Sequence, residues 1–295
     1  MLKTIFITVF AIFFSLPILQ AKDKPAYRLF DREGNETTYS AMFEQAQDND
    51  IILFGELHNN PIAHWLQYDL SYDLHGVFDS LLVLGAEMFE ADDQLLLNEY
   101  LEGTILERHF TAEAKLWNNY STDYRPLVEL AREKGLSFIA TNIPRRYAAL
   151  VHRAGFEALE DLSEQAKGYI APLPPLYDPE LPGYKAMLEM EGLPAHGSEN
   201  FPKAQAIKDA TMAHFIINNL SENGLFIHFN GAYHSNNDEG IQWYLHQYAE
   251  RDGTEPLRVL TISTVEQNRI DALSENNHGL ADFIIAVPST MTKTY

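Results

Sequence analysis

No cysteine occurs anywhere in the 295 residues. A disulfide framework, a thiolate metal site and a lipid-modified N-terminal cysteine are therefore excluded. Basic residues are scarce, 21 Lys and Arg against 42 Asp and Glu, for a formal net charge of −21. A field of that sign repels nucleic acid and anionic membrane surfaces, so neither is an expected partner. After the first 21 positions no apolar run approaches the ~20 residues that a membrane helix needs. No Gly-x-x-x-x-Gly-Lys phosphate loop appears, no Gly-x-Gly-x-x-Gly follows a strand, and no Gly-x-Ser-x-Gly elbow is present, which disfavours a nucleotide enzyme or a serine hydrolase.

What stands at the N-terminus is a positive residue, Lys3, an apolar stretch from Ile5 to Leu19, and the small-residue pattern Leu19-Gln20-Ala21. This predicts a secretory signal peptide over residues 1–21, too short for a comfortable span, with an uncleaved anchor as the alternative. Cleavage would release a periplasmic or secreted chain without a stable membrane anchor. About 270 residues remain (22–295), large for one domain but normal for an α/β sheet carrying an insertion.

Short β-prone runs alternate with helical patterns. Strands are expected at Ile51–Phe54, Leu81–Ala86, Leu136–Ala140, Leu225–Phe229, Arg258–Ile262 and Phe283–Val287. Helices are expected at Tyr39–Gln47, Pro61–His75, Asp92–Leu101, Ile105–Trp117, Tyr124–Glu133, from Pro144 onward, at Pro202–Leu220 and at Glu239–Tyr248. Residues 22–50 otherwise read as a polar lead-in with a turn at Gly34-Asn35. This alternation predicts an α/β fold, a mostly parallel sheet covered by helices on both faces. Residues 168–202 differ: Pro, Gly and Tyr crowd there, and Met187, Met190 and Leu193 give the segment something to bury, so an inserted Pro/Tyr-rich cap is expected.

The helix from Pro61 carries a buried stripe of Ile62, Leu66, Leu70, Leu74 and Val77, and a second row of His64, Tyr68, Tyr72 and His75 that reads as a wet face. In the helix after Pro202, Gln205 and Asp209 lie on the shoulder of an apolar stripe, where a polar group needs a partner.

The chemistry collects at strand ends. Glu56 and His58 follow the first run, Glu87 the second, Asn142 the third and His234 the fourth. In a parallel sheet all of these ends lie on one edge, so the residues converge on a single crevice. Three chemistries fit. His58, Glu87 and His234 could hold a divalent metal with an open position for water. Without metal, Glu56 or Glu87 could serve as general base beside a histidine. Or the edge binds a ligand and catalyses nothing, with Arg145 and Arg146 at a helix start suited to an anion.

Gly55-Glu56-Leu57-His58-Asn59-Asn60-Pro61 with His64 and Gln67, Gly85-Ala86-Glu87-Met88-Phe89, Asn142-Ile143-Pro144-Arg145, Ala204-Gln205 with Asp209 and Met212-Ala213, and Gly231-Ala232-Tyr233-His234 resemble the ChaN-like family over about residues 45–250, in the family's order. That group is haem-binding and iron-regulated, in the bacterial envelope, and is similar to a wider superfamily with the Tiki metalloproteases and erythromycin esterases, some of which use the first Glu/His motif and the late Gly-x-x-His in hydrolysis. The resemblance implies haem as cofactor, a role in iron or haem acquisition, a homodimer sharing cofactors, and a tyrosine as axial iron ligand, a sensible partner for ferric iron. Tyr177 and Tyr184 in the cap are candidates for that ligand, with His196 as helper. Arg145 or Arg146 would meet the propionates, and Asn142, His64, Gln205 and Asp209 would complete the pocket. An acid/imidazole cluster is more than haem needs, so a metal-dependent hydrolase of an amide or ester, built on Glu56, His58, Glu87 and His234, stands as the alternative.

Overall fold

The run Ile51-Ile52-Leu53-Phe54-Gly55-Glu56 is buried at every position, as a central parallel strand covered on both faces must be. Its side chains alternate between two cores: Ile52 and Phe54 enter one, Ile51 and Leu53 the other. The computed structural model describes residues 23–189 and 198–295. The predicted signal peptide, and His196, Met190 and Leu193 of the cap, lie outside the described residues.

In chain order the elements are β1 (Arg28–Asp31), β2 (Glu36–Thr37), α1 (Tyr39–Ala46), β3 (Ile51–Glu56), α2 (Pro61–Phe78), β4 (Leu82–Glu90), α3 (Gln94–Leu101), α4 (Glu107–Glu113), α5 (Arg125–Lys134), β5 (Ser137–Asn142) and α6 (Arg145–Ala154). There follow α7 (Glu164–Lys167), α8 (Pro182–Leu188), α9 (Phe201–Asn218), β6 (Leu225–Gly231), α10 (Ile241–Asp252), β7 (Val259–Gln267) and β8 (Phe283–Pro288). The sheet order is β2-β1-β8-β7-β3-β6-β4-β5. The six strands from β8 to β5 run parallel, and β1 pairs antiparallel with β8 and β2 at one edge. This is the expected mostly parallel α/β sheet. Leu66, Leu70 and Leu74 of α2 and Leu127, Val128 and Ala131 of α5 cover one face. Ala210, Ala213 and Ile216 of α9 and Ile241, Tyr244 and Leu245 of α10 cover the other.

Local chemistry sets the helix ends. Asn60 caps α2 by accepting from the N–H groups of Ile62 and Ala63 at 3.0 and 3.2 Å, with Pro61 in the first turn. Gly135 ends α5 in the left-handed conformation at φ 67°.

Several expectations need correction. The lead-in folds: Leu29 and Phe30 are buried in β1, and the Gly34-Asn35 turn closes a small edge hairpin, its Asn35 N–H donating to Asp31 at 2.7 Å. The helix expected over Ile105–Trp117 is only Glu107–Glu113, and a π-helical turn, Tyr120–Tyr124, precedes α5. Val77 is exposed while Phe78 packs on the core, because the next residue along the stripe carries the larger apolar side chain. His64, placed on a wet face, is buried. In the cap, Tyr184 and Met187 bury against Ala206 of α9, with Tyr177, Leu181, Phe156 and Phe201 around them. The cap therefore flanks α9.

Candidate functional site

Parallel pairing brings Glu56 opposite Gly231 at the ends of β3 and β6. On the other side of β6, the β4–β5 register shifts between Ala86 and Glu90, an irregularity that lies at Glu87. Glu56, His58, Glu87 and His234 thus meet at the carboxyl edge of the sheet, as the sequence predicts. They form two carboxylate–imidazole systems that face each other across Gly231.

In the first, His58 Nδ1 lies 2.9 Å from Glu56 Oε1. The buried Glu56 carboxylate also accepts from Gln67 Nε2 at 2.6 Å and from the Tyr124 hydroxyl. Burial alone would raise its pKa, but His64, His58 and Tyr124 outweigh it and hold Glu56 below the usual value. His64 stands behind, its Nδ1 3.0 Å from Gln67 Oε1 and its Nε2 3.1 Å from the His58 carbonyl. Asn119 holds that same carbonyl, donating at 2.7 Å. Burial depresses His58, yet Glu56 and Glu87 win and leave it raised.

In the second, His234 sits between two acids. Its Nε2 lies 3.2 Å from Glu87 Oε1, and its Nδ1 bonds Asp209 Oδ1. Burial works against its charge, but Glu87 and Asp209 push its pKa up to about 10. Glu87, itself buried, is held far below the usual carboxylate value by His234 and His58, and its Oε2 accepts from the Gly231 N–H at 2.8 Å. Asp209 is raised by burial and accepts from the Tyr184 hydroxyl at 2.7 Å. The Gln205 amide nitrogen rests 2.9 Å from His234 Nδ1. Asn142 lies beneath, donating to the Glu87 carbonyl at 2.9 Å.

Over this floor opens a cleft of about 910 Å³, lined by His58, Glu87, Trp117, Asn119, Arg145 and Lys208 among others. Trp117 meets the His58 ring edge-on at 4.7 Å, and Trp117, Leu116 and Ala149 are apolar residues of the lining. Four cations reach the cleft, in two kinds. Arg146 pairs with Asp92 at 2.6 Å and lies over the Tyr147 ring, and Lys115 pairs with Asp92, Asp93 and Glu90. Arg145 and Lys208 have no ion-pair partner among the described residues.

Two expected assignments find no support here. Among the described residues no group of three His, Asp or Glu is arranged to hold a metal ion. The reason is local: both His234 nitrogens are engaged by carboxylates of the protein, and one Glu87 oxygen is taken by Gly231. The metal set His58, Glu87 and His234, and the metal-dependent hydrolase built on it, are not favoured. Nor do the cap tyrosines line the cleft: Tyr184 is engaged with Asp209, and Tyr177 packs on Phe156 and Tyr184. Sequence reading missed Tyr124, Asn119 and Lys208, because nothing in their local patterns distinguishes them from core or surface residues.

A mostly parallel α/β sheet with a charged cleft at its carboxyl edge defines a broad class of ligand-binding and catalytic domains. Within it the chain belongs to the ChaN family of the Tiki superfamily, described as haem-binding uptake proteins, whose model matches residues 42–245. Among solved structures it is similar to ChaN of Campylobacter jejuni, which binds haem cofacially, at TM-score 0.65 and 15% identity, over 89% of this chain and 97% of that one. The type III effector HopBA1 matches at TM-score 0.48 and 12% identity, over 84% and 91%. No curated protein matches the sequence.

Proposed function

We propose that this protein binds haem in the cleft at the carboxyl edge of its sheet and serves haem or iron acquisition outside the cytoplasm. One observation carries the reading: the cleft is lined both by the apolar side chains of Trp117, Leu116 and Ala149 and by two cations, Arg145 and Lys208, that have no ion-pair partner among the described residues. A flat apolar ring bearing two carboxylates asks for that combination. The volume is within the range of about 300–1,000 Å³ common to small-ligand sites, and the family is haem-binding. Bound haem would bring an iron with axial positions open to protein ligands. The chain supplies apolar lining, the cations and the acid/imidazole pair His58 and Glu87.

Arg145 and Lys208 would hold the propionates, while Arg146 and Lys115 order the rim through their acidic partners. Cofacial haem binding by the Campylobacter jejuni protein extends here to an expectation of paired haems in a homodimer, which titration stoichiometry and sedimentation read directly. Export rests on the N-terminal pattern of Lys3, Ile5–Leu19 and Ala21.

The test is a haemin titration followed by absorbance, on the parent chain and on Arg145→Glu combined with Lys208→Glu. Each charge-assisted contact contributes about 1.5–3 kcal/mol, so the double reversal should weaken binding at least ~10-fold. Absence of saturable binding by the parent chain would sink the proposal.

A further inference from the structure

A second hollow, of about 280 Å³, lies between the start of α2 and the π-helical turn before α5. It shares no lining residue with the cleft. Trp65 and Tyr68 of α2 line it, together with Asp123 of the turn. Both rings are braced by neighbours: Trp65 meets Tyr27 edge-on at 5.9 Å, and Tyr68 stacks on Tyr72 at 6.4 Å.

Asp123 is only 3% exposed, and no Lys or Arg pairs with it among the described residues. Its Oδ2 accepts from Asn119 at 2.7 Å and from the Thr294 hydroxyl at 2.8 Å. Its Oδ1 has no hydrogen-bond partner among the described residues and still touches solvent. A carboxylate so buried, with one oxygen open, is costly unless something meets it. The neighbouring polar groups are already spent. His64 has both nitrogens engaged, and the Thr122 hydroxyl donates to the Asn119 carbonyl at 3.1 Å. Pro61 has no N–H, and Asn60 takes those of Ile62 and Ala63, so the start of α2 presents no amide hydrogen to an anion. The lining therefore offers one open carboxylate oxygen beside aromatic surface, and no free cation.

From this we infer that the hollow binds an alkylammonium ion, its N–H donating to Asp123 Oδ1 and its carbons lying against Trp65 and Tyr68. Aromatic rings attract a cation through their electron-rich faces, Trp most strongly, and a charge-assisted bond to a carboxylate fixes its direction. Asp69, one turn along α2 from Trp65 and also without a Lys or Arg partner among the described residues, favours the same sign. So does the net charge of −21, which draws cations to the surface. The inference stands apart from the haem reading.

The full chain, without haem, is titrated with n-butylammonium at constant ionic strength, sodium being exchanged for the amine, and binding is read by saturation-transfer NMR on the ligand. Saturable binding with a Kd on the order of 1 mM is expected for so small a ligand. Tetramethylammonium, which has no N–H for Oδ1, should bind more weakly, and neutral 1-butanol should not bind. Trp65→Ala, which removes an exposed ring, should weaken butylammonium ~3-fold or more. Asp123→Asn should weaken it ~10-fold or more, with circular dichroism confirming the fold; if that variant does not fold, Trp65→Ala and the ligand series decide. Nα-acetyl-lysine amide bound as tightly as butylammonium supports the site with a protein lysine as its source, and weaker binding supports it with a free amine. Absence of saturable butylammonium binding overturns the inference. So does equal binding of 1-butanol, or butylammonium binding that Trp65→Ala leaves unchanged.

Discussion

The Cα of Gly231 faces the ring of His58 so closely that a β-carbon on it would lie 2.8 Å from Cε1 and 2.9 Å from Nε2. Gly231 has an ordinary φ of −56°, so the need for glycine is steric and not conformational. The same residue donates its N–H to Glu87 and pairs with Glu56 across the strands. It is the point where the two acid/imidazole systems touch.

Gly231→Ala should therefore displace the His58 ring from Glu56. Overpacking of this kind costs about 1–3 kcal/mol, and because His58 is half exposed the ring can swing outward, putting the stability loss at the low end. Haem affinity should fall further than stability does. Paired thermal melts and haemin titrations check it; an unchanged haem spectrum with a normal melt would count against the ring position.

His234 makes stability depend on alkaline pH. Burial lowers its pKa, Glu87 and Asp209 raise it more, and the result is about 10 against an unfolded value near ~6.5. A raised folded pKa means the stabilisation is complete below about 6.5 and declines as pH rises toward 10. The melting temperature should fall across that interval, and His234→Gln should flatten the decline while lowering stability at pH 6. Melts at pH 6, 8 and 10 on both proteins decide it. Parallel curves would show that the pair does not govern this range.

Tyr184→Phe removes the donor to a carboxylate that is almost wholly buried. Leaving such an acceptor without its donor costs about 1–3 kcal/mol. The cap helix α8 is held in two further places, where Gly183 N–H donates to Glu239 at 2.6 Å and Tyr233 donates to the Gly183 carbonyl at 2.6 Å. Hydrogen exchange should thus speed up over residues 182–188 without global unfolding. Unchanged exchange there would mean that Tyr184 does not anchor the cap.

The proposed export makes a simple forecast. Expressed in a bacterium with its N-terminus intact, the chain should lose residues 1–21 and accumulate as a form beginning at Lys22. Intact mass of periplasmic and cytoplasmic fractions reads this; a full-length cytoplasmic product would oppose it.

The alternating strands and helices, the parallel edge and the convergence of Glu56, His58, Glu87 and His234 were legible from local pattern alone. A buried run such as Ile51–Phe54 is a strand because it is short, branched and ended by glycine. Once the sheet is parallel, its strand ends must share an edge. Periodicity also placed Asp209 beside a buried stripe, where it needed a partner. The partner itself, His234, is 25 positions away, and no local pattern carries that pairing. The burial of His64 and the engagement of Tyr184 away from the cleft likewise depend on which helix packs where. Which imidazole nitrogens have partners is a fact of three dimensions: His58, His64 and His234 have the same chemistry in the sequence, and only packing leaves Nε2 of His58 open. Local hydrophobic pattern and turn chemistry therefore determined the fold class and the edge at which the chemistry gathers. Tertiary structure decided the pairing of each charge, because a buried ionisable group takes its state from neighbours that the chain brings to it from afar.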